Sequence, residues 1–458
     1  MPALLKPAAV DAVATHTSVG RTLGAVDVTA MIVGVVVGAG IFRAPGLVAN
    51  GVTSEAALMA VWALGGVVSL VGALCYGELV TAFPSPGGEY HLLNRSFGRN
   101  LAFLFVWSRL TVTSAGAIAL LAFIFGDYAS TLLPLPGGTA LYAASLVVVL
   151  TVLNALGLRL GTWVQKAFTL ALVVGIACVA IAGLAVDVPD RVAVSSAPGL
   201  TLGLAMIFVL LTYGGWNEAA YLSAEVRGGR RRMALSLVVG VAAVSALYLL
   251  INAAYVRVLG LEGLRGSATV GADLVSAIAG QAGARIAAVL VATAVLTSAN
   301  ATIVTCSRSA YALGRDFTVF RALGHWDARA AAPVRALIAQ AVIVLLLIAA
   351  GAWSRSGFET MVEYTAPVFW AFFLLTGLSL FVLRAKEPGA LRPFRVPLYP
   401  LTPALFCAVC AWLLYSSLMH TRAGALAGVA VLALGVVPLW IERTRSTRIP
   451  TPIQEERA

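Results

Sequence analysis

Apolar stretches of about 20 residues alternate with short polar segments along almost the whole chain. Helices of that length cross a hydrocarbon core about 30 Å thick, and the pattern predicts twelve of them. Their approximate limits are 26–48, 56–83, 101–126, 139–157, 163–186, 200–224, 233–256, 284–307, 335–353, 361–383, 402–419 and 423–441. None of these stretches sustains the alternation of apolar and polar positions over about ten residues that marks a membrane strand. The expected fold class is an all-α integral membrane protein with one domain.

Composition agrees with a lipid solvent. Of 458 residues, 60% are hydrophobic and 11% charged, with a mean hydropathy of +0.93, where a soluble domain carries about 25% charged residues. That excludes a water-soluble enzyme and a disordered chain. The net charge of +11 would suit nucleic acid, but the basic residues gather in alternate loops. Arg95, Arg99, Arg230, Arg231, Arg232, Arg315, Arg321, Arg384, Arg392 and Arg395 fall on one side, and Arg191, Arg257, Arg265, Arg285, Arg355 and Arg422 on the sparser one. The basic side is the cytoplasmic one. Both termini are thus expected in the cytoplasm, in a multi-pass protein of the cell membrane whose surroundings are the lipid bilayer, with no nucleic-acid partner. The 5 cysteines all lie in apolar segments without metal-site spacing and read as packing residues. No metal or cofactor is expected. The N-terminal segment lacks the short apolar core and cleavage site of a signal peptide, so no cleavage is expected.

Two spans carry glycine clusters at their centres: Gly38-Ala39-Gly40 in span one and Gly214-Gly215 in span six. Glycine inside a helix costs about 1 kcal/mol against alanine, although small residues also let membrane helices pack closely. Spans one and six correspond if a five-helix unit is repeated once, and an odd number of spans per unit inverts the second copy. Interrupted helices at matching positions of inverted repeats point to a transport site at the bilayer midplane. N–H groups opening the second half of span one would suit a carboxylate, and carbonyls ending the first half-helices an ammonium.

The chain resembles the amino acid–polyamine–organocation superfamily, and within it the L-type amino acid transporters and their bacterial relatives. The carriers of the resemblance are Gly38-Ala39-Gly40-Ile41-Phe42, Pro84-Ser85-Pro86-Gly87-Gly88-Glu89-Tyr90, Tyr213-Gly214-Gly215-Trp216-Asn217 and Arg392-Pro393-Phe394-Arg395-Val396-Pro397-Leu398-Tyr399-Pro400. The resemblance implies a LeuT-like bundle of two inverted five-helix repeats plus two further helices. Residues 1–25 would form a cytoplasmic segment, 26–441 the transporter (repeat one about 26–186, repeat two about 200–383, accessory helices about 402–441), and 442–458 a cytoplasmic tail. It further implies that the carboxylate of an amino-acid substrate meets the N–H groups of Ala39 and Gly40, with Gly38 opening the turn. The substrate ammonium would meet the carbonyls of Val36, Leu211 and Gly214, with the amide of Asn217 nearby.

The chain also departs from the family. Ala39 replaces a usual serine, Leu211 stands where relatives often place an aromatic gate, and Leu172 occupies the span-five position of a lysine common in sodium-independent members. A sodium ion there would depend on neutral oxygens from Thr297, Ser298 and Thr302, so sodium-independent transport is expected. Mammalian relatives bind a glycoprotein through an external cysteine. No cysteine falls in an outside loop, so a disulfide-linked partner is not expected.

Ionisable groups inside a bilayer are costly, about 3 kcal/mol each at a helix centre. Arg109 lies about 12 Å inside span three at 1.5 Å per residue, and Glu78, a little shallower on span two, reads as its partner in a structural ion pair, with a gating element or direct substrate contact as the alternatives. Glu218, just beyond the span-six break, is a proton-site candidate or bonds span one. Arg43 would cover the external mouth, and Lys166 would reach water at the cytoplasmic surface. The polar loop 84–100, with Glu89 and His91, lacks any nucleophile motif or metal spacing, so an enzyme is not expected. The resulting expectation is a secondary transporter or exchanger of neutral amino acids working by alternating access. Polyamine or cationic amino-acid transport is the alternative within the superfamily, disfavoured because Glu218 is the sole carboxylate in the central segments. A channel and a membrane-embedded enzyme are the alternatives outside it.

Overall fold

The computed structural model describes residues 24–85, 87–157, 162–186, 201–223, 226, 230–354, 356–420 and 422–446. Both expected terminal segments lie mostly outside these residues, as does the side chain of Lys166. All regular elements among the described residues are helices. Ten are long and apolar enough to cross a membrane: Glu55–Ala82, Arg99–Leu132, Gly138–Ala155, Ala167–Ala185, Arg231–Arg265, Ala282–Asp316, Val334–Ala352, Gly357–Lys386, Leu401–Met419 and Gly424–Thr444. These are spans two to five and seven to twelve of the sequence pattern.

The remaining two fail on length, for the reason the glycines gave. Span one holds a 12-residue helix, Ala25–Val36, and span six an 11-residue helix, Leu202–Thr212. At 1.5 Å per residue each reaches about 18 Å, roughly half of the hydrocarbon thickness. Both continue after a break, span one as the turn Ala39–Phe42 and the helix Ala44–Ala49, span six as the tight helix Trp216–Leu222.

Several helices extend beyond the apolar limits, because polar residues at the bilayer edge continue the backbone bonding. Span seven runs to Arg265 through a non-helical Gly260 at φ 68°. A short helix, Val270–Gly280, precedes span eight, with the bend at Ala279 and Gly280. Side chains such as Leu141 and Val149 on span four, Leu170 and Ile181 on span five, and Leu346 on span nine are exposed at the outer surface. An apolar surface of this extent suits lipid rather than water. Cys178 on span five is exposed too, which corrects the expectation that every cysteine packs inside. A thiol behaves as a small apolar group and loses little by facing hydrocarbon.

Span two forms the inner support for the broken helices. Its Gly72 lies against Trp216, whose ring a Cβ there would meet at 2.7 Å. Tyr213 donates its hydroxyl to the Trp62 carbonyl at 3.2 Å. Lower on the same helix, Glu78 is buried but does not pair with Arg109, contrary to the sequence reading. It accepts hydrogen bonds from Arg384 Nε at 2.8 Å, Arg384 Nη2 at 2.6 Å and the Val396 N–H at 2.7 Å. Arg392 Nε stands 3.4 Å away. Helical depth places Glu78 a little shallower than Arg109 on the same side, but the two helices turn these residues to different neighbours. Glu78 thereby fastens the connection after span ten, and with it the Arg392–Pro400 motif, to span two.

Losing one partner of a buried ion pair leaves an uncompensated charge, at a cost of about 3–5 kcal/mol. Glu78→Ala is expected at the lower end of that range, about 3 kcal/mol, since Arg384 keeps some water contact. Thermal unfolding in detergent checks it against Glu387→Ala. Glu387 pairs with Arg95 at the exposed surface, where a change of about 1 kcal/mol or less is expected.

Candidate functional site

The two breaks face each other at the centre of the bundle. The span-one helix ends at Val36, and Gly38 at φ −104°, ψ −173° turns the chain into Ala39–Phe42. In span six the chain passes through Gly215 at φ 107°, a left-handed conformation that favours glycine. A Cβ on Gly215 would stand 3.0 Å from Val35, and one on Gly40 would stand 3.2 Å from Thr212. Each broken segment therefore packs on the other with almost no intervening side chain.

Beside this contact lies a cavity of about 210 Å³. Val36, Gly38, Ala39, Gly40, Leu211, Gly214 and Asn217 all line it, as do Arg109 and Glu218. Arg43, Glu78 and Leu172 are not among its walls. Leu172 is buried in the bundle. Arg43 donates to the Ala268 carbonyl and stands 5.9 Å from the ring of Phe358, beside the cavity wall.

Backbone groups freed by the breaks find partners. The Val36 carbonyl accepts from the Gly38 N–H at 2.7 Å and from the Tyr248 hydroxyl at 2.8 Å. Tyr248 also reaches the Thr212 carbonyl at 3.3 Å, so this span-seven residue joins both first half-helices. The Tyr128 hydroxyl similarly donates to the Phe42 carbonyl at 3.0 Å. The Leu211 carbonyl accepts from the Gly214 N–H at 3.1 Å. Ala39 and Gly40 begin a helical turn, where N–H groups have no partner within the helix. Nearby, the buried Ser298 hydroxyl has no hydrogen-bond partner among the described residues. Thr297 and Thr302 instead donate to carbonyls of their own helix at 2.8–3.0 Å.

One part of the lining is apolar and aromatic, with Leu120, Phe208, Phe358, Val362 and Phe369. Phe208 and Phe358 stack with centroids 6.3 Å apart. An aromatic wall is thus present despite Leu211, contributed in part from span ten. No local motif marked Phe358 in the sequence.

Another part of the lining is ionic. Arg109, 3% exposed, opens a π-helical turn, Arg109–Thr113, within span three, an irregularity often found at functional sites. Its guanidinium donates to Glu218 at 2.9 and 3.3 Å and to the Tyr221 hydroxyl at 3.2 Å. Glu218 therefore bonds span three, not span one. Arg109 Nη1 also lies 3.8 Å from Glu89, which is 2% exposed. Glu89 belongs to the helix Gly88–Phe97 linking spans two and three, accepts from the Tyr76 hydroxyl at 2.6 Å, and lies 3.4 Å from Asn217 Nδ2. The sequence reading left Glu89 in a polar loop. The Pro84–Tyr90 motif was the available signal, but a loop carboxylate gives no indication that its helix folds inward. The cavity thus carries two carboxylates, not one, with a single arginine between them.

Comparison with known proteins gives the same family as the motifs. The family model described as amino acid permease matches residues 23–436. The b(0,+)-type amino acid transporter 1 of Mus musculus is 30% identical over 396 residues, covering 84% of this chain and 80% of the relative. Its Homo sapiens counterpart is 29% identical over 417 residues, covering 88% and 84%. The large neutral amino acids transporter small subunit 2 of Mus musculus is 27% identical over 431 residues, covering 91% and 80%.

Tyr248→Phe removes the donor shared by Val36 and Thr212 and is expected to lower stability by about 1–3 kcal/mol. Tyr255 provides the control, since its buried hydroxyl has no hydrogen-bond partner among the described residues. Tyr255→Phe is expected within about 0.5 kcal/mol of the parent or slightly more stable. Thermal unfolding of both variants in detergent makes the comparison.

Proposed function

The chain belongs to the amino acid permease family, and on that premise we propose that it is a secondary transporter or exchanger of neutral amino acids at the cell membrane, with both termini in the cytoplasm. The observation that carries the substrate reading is the pairing of opposed helix breaks with an aromatic wall around one cavity. N–H groups at Ala39 and Gly40, which line the cavity at the start of a helical turn, receive the carboxylate. Carbonyls at Leu211 and Gly214 face the ammonium, with less from Val36, whose carbonyl already accepts two hydrogen bonds. The Phe208–Phe358 wall favours an uncharged side chain, since burying an unpaired charge there is costly.

Transport proceeds by alternating access. Spans one and six rock against a scaffold of spans three, four, eight and nine, within two inverted repeats at about 26–186 and 200–383. Arg43, beside Phe358, covers the external mouth. A cationic side chain is the second reading, favoured by the presence of Glu89 and Glu218 in the lining. The bond from Arg109 to Glu218 already neutralises one of them, so a neutral substrate ranks first. With Leu172 at the lysine position, sodium there would depend on the neutral oxygens of Thr297, Ser298 and Thr302, and Thr297 and Thr302 already bond carbonyls of their own helix. The cycle is therefore sodium-independent, and with no cysteine in an outside loop it needs no disulfide-linked partner.

A panel of radiolabelled amino acids in proteoliposomes, with sodium or choline at fixed pH, tests this reading. Neutral amino acids are expected to exchange at equal rates in either salt, and arginine and putrescine to compete weakly. A large drop in choline would reveal a functioning sodium site, and equal or better competition by putrescine or arginine would favour the second reading. Gly40→Val places methyl groups against Thr212 and over the backbone donors. It is expected to weaken binding by at least about tenfold, or 1.4 kcal/mol, while remaining folded in detergent. Parent affinity in that variant would remove the carboxylate from this position.

A further inference from the structure

The ionic part of the cavity contains more negative than positive groups. Arg109 is the single cation between Glu89 and Glu218, and its two-nitrogen bond is to Glu218. The groups facing Glu89 are Tyr76 from span two, Arg109 from span three, and Asn217, Glu218 and Tyr221 from span six. Cys306 of span eight touches the Arg109 backbone. On its own helix, Tyr90 is bonded to Asp316 and Arg95 to Glu387, and His91 lies near Arg95. None of those three supplies Glu89 with a counter-charge. With both carboxylates ionised the buried cluster carries a net negative charge, and with Glu89 protonated it is neutral.

Two observations indicate how the cluster changes state. Arg109 joins span three to the second half of span six, so rocking of span six against span three must part the Arg109–Glu218 bond. Arg109 Nε is buried with no hydrogen-bond partner among the described residues, so the guanidinium has a donor free for a second carboxylate, and Glu89 lies 3.8 Å from Nη1 of the same guanidinium.

We propose that Glu89 is a proton-binding site coupled to transport, protonated while Arg109 is bonded to Glu218 and ionised when that bond parts and Arg109 turns to Glu89. The O–H bond of the Glu89 carboxyl breaks, the proton passes to cytoplasmic water, and Glu218 is left hydrated at the opened face. When the cavity faces the other side, Glu89 regains a proton through the cavity it lines. The titration falls in a useful range: burial pushes the Glu89 carboxyl up to about 7, opposed by Arg109 and the Tyr76 hydrogen bond and reinforced by the Glu218 charge. The sign follows from which state holds the proton. The sealed state binds it, so acid favours sealing and a more alkaline cytoplasm favours opening inward. Uptake is therefore driven by an inward proton gradient.

This inference rests on the amino-acid transport reading for its coupling, but not for the titration itself. Infrared spectroscopy of the purified protein across neutral pH is expected to show a protonated-carboxyl band that disappears as pH rises. The band should be absent in Glu89→Gln. In Glu218→Gln it should persist but titrate at lower pH, since Arg109 then turns wholly to Glu89. Absence of a near-neutral band in the parent protein, or its persistence in Glu89→Gln, would overturn the site. In proteoliposomes holding a pH-sensitive dye, uptake of a neutral amino acid is expected to rise severalfold with an acidic exterior and to acidify the lumen. A rate indifferent to the gradient with no acidification would overturn the coupling. If no amino acid is transported, the functional reading fails, while the infrared titration still decides whether Glu89 binds a proton.

Discussion

A peptide group without a hydrogen-bond partner cannot be left in hydrocarbon, and this constraint organises the centre of the molecule. Breaking spans one and six releases N–H and C=O groups that their own helices no longer pair. Tyrosines on the surrounding helices answer that need: Tyr248 from span seven at Val36 and Thr212, and Tyr128 from span three at Phe42. Their hydroxyls fix some freed carbonyls and leave the start of the second half of span one facing the cavity. The site is thus built mostly from backbone, and its shape depends on helices that lie a layer away.

Charge follows the same logic of partners. The Glu78 carboxylate is surrounded by Arg384, Arg392 and the Val396 N–H, an arrangement that holds a connection in place. Glu89 is equally buried but shares one arginine with Glu218. One carboxylate is oversupplied with donors and the other undersupplied. The first arrangement is static, and the second can exchange partners when span six moves. Burial alone does not separate these roles; the number of donors within reach does.

The family relationship and the geometry meet at the cavity wall. Gly38, Ala39, Gly40, Gly214, Gly215 and Asn217 of the motifs on spans one and six line it, while the Arg392–Pro400 motif acts at a distance through its bonds to span two. Leu211 removes an aromatic from one position, and the Phe208–Phe358 stack supplies one from elsewhere.

The sequence by itself determined the all-helical membrane class, the order of the spans and the two interruptions. Length, apolarity and helix-breaking glycines are local properties, legible wherever a run of residues must satisfy its own backbone in lipid. Lateral neighbours were decided only by the tertiary structure. Depth along a helix places Glu78 and Arg109 near each other on one side, but rotation about the helix axes sends them to Arg384 and Glu218. Glu89 lay in a segment polar enough to read as solvated, and only the inward fold of Gly88–Phe97 buried it beside Arg109. A one-dimensional pattern records how far along the bilayer normal a residue lies. Which helix it faces depends on the packing of the whole bundle.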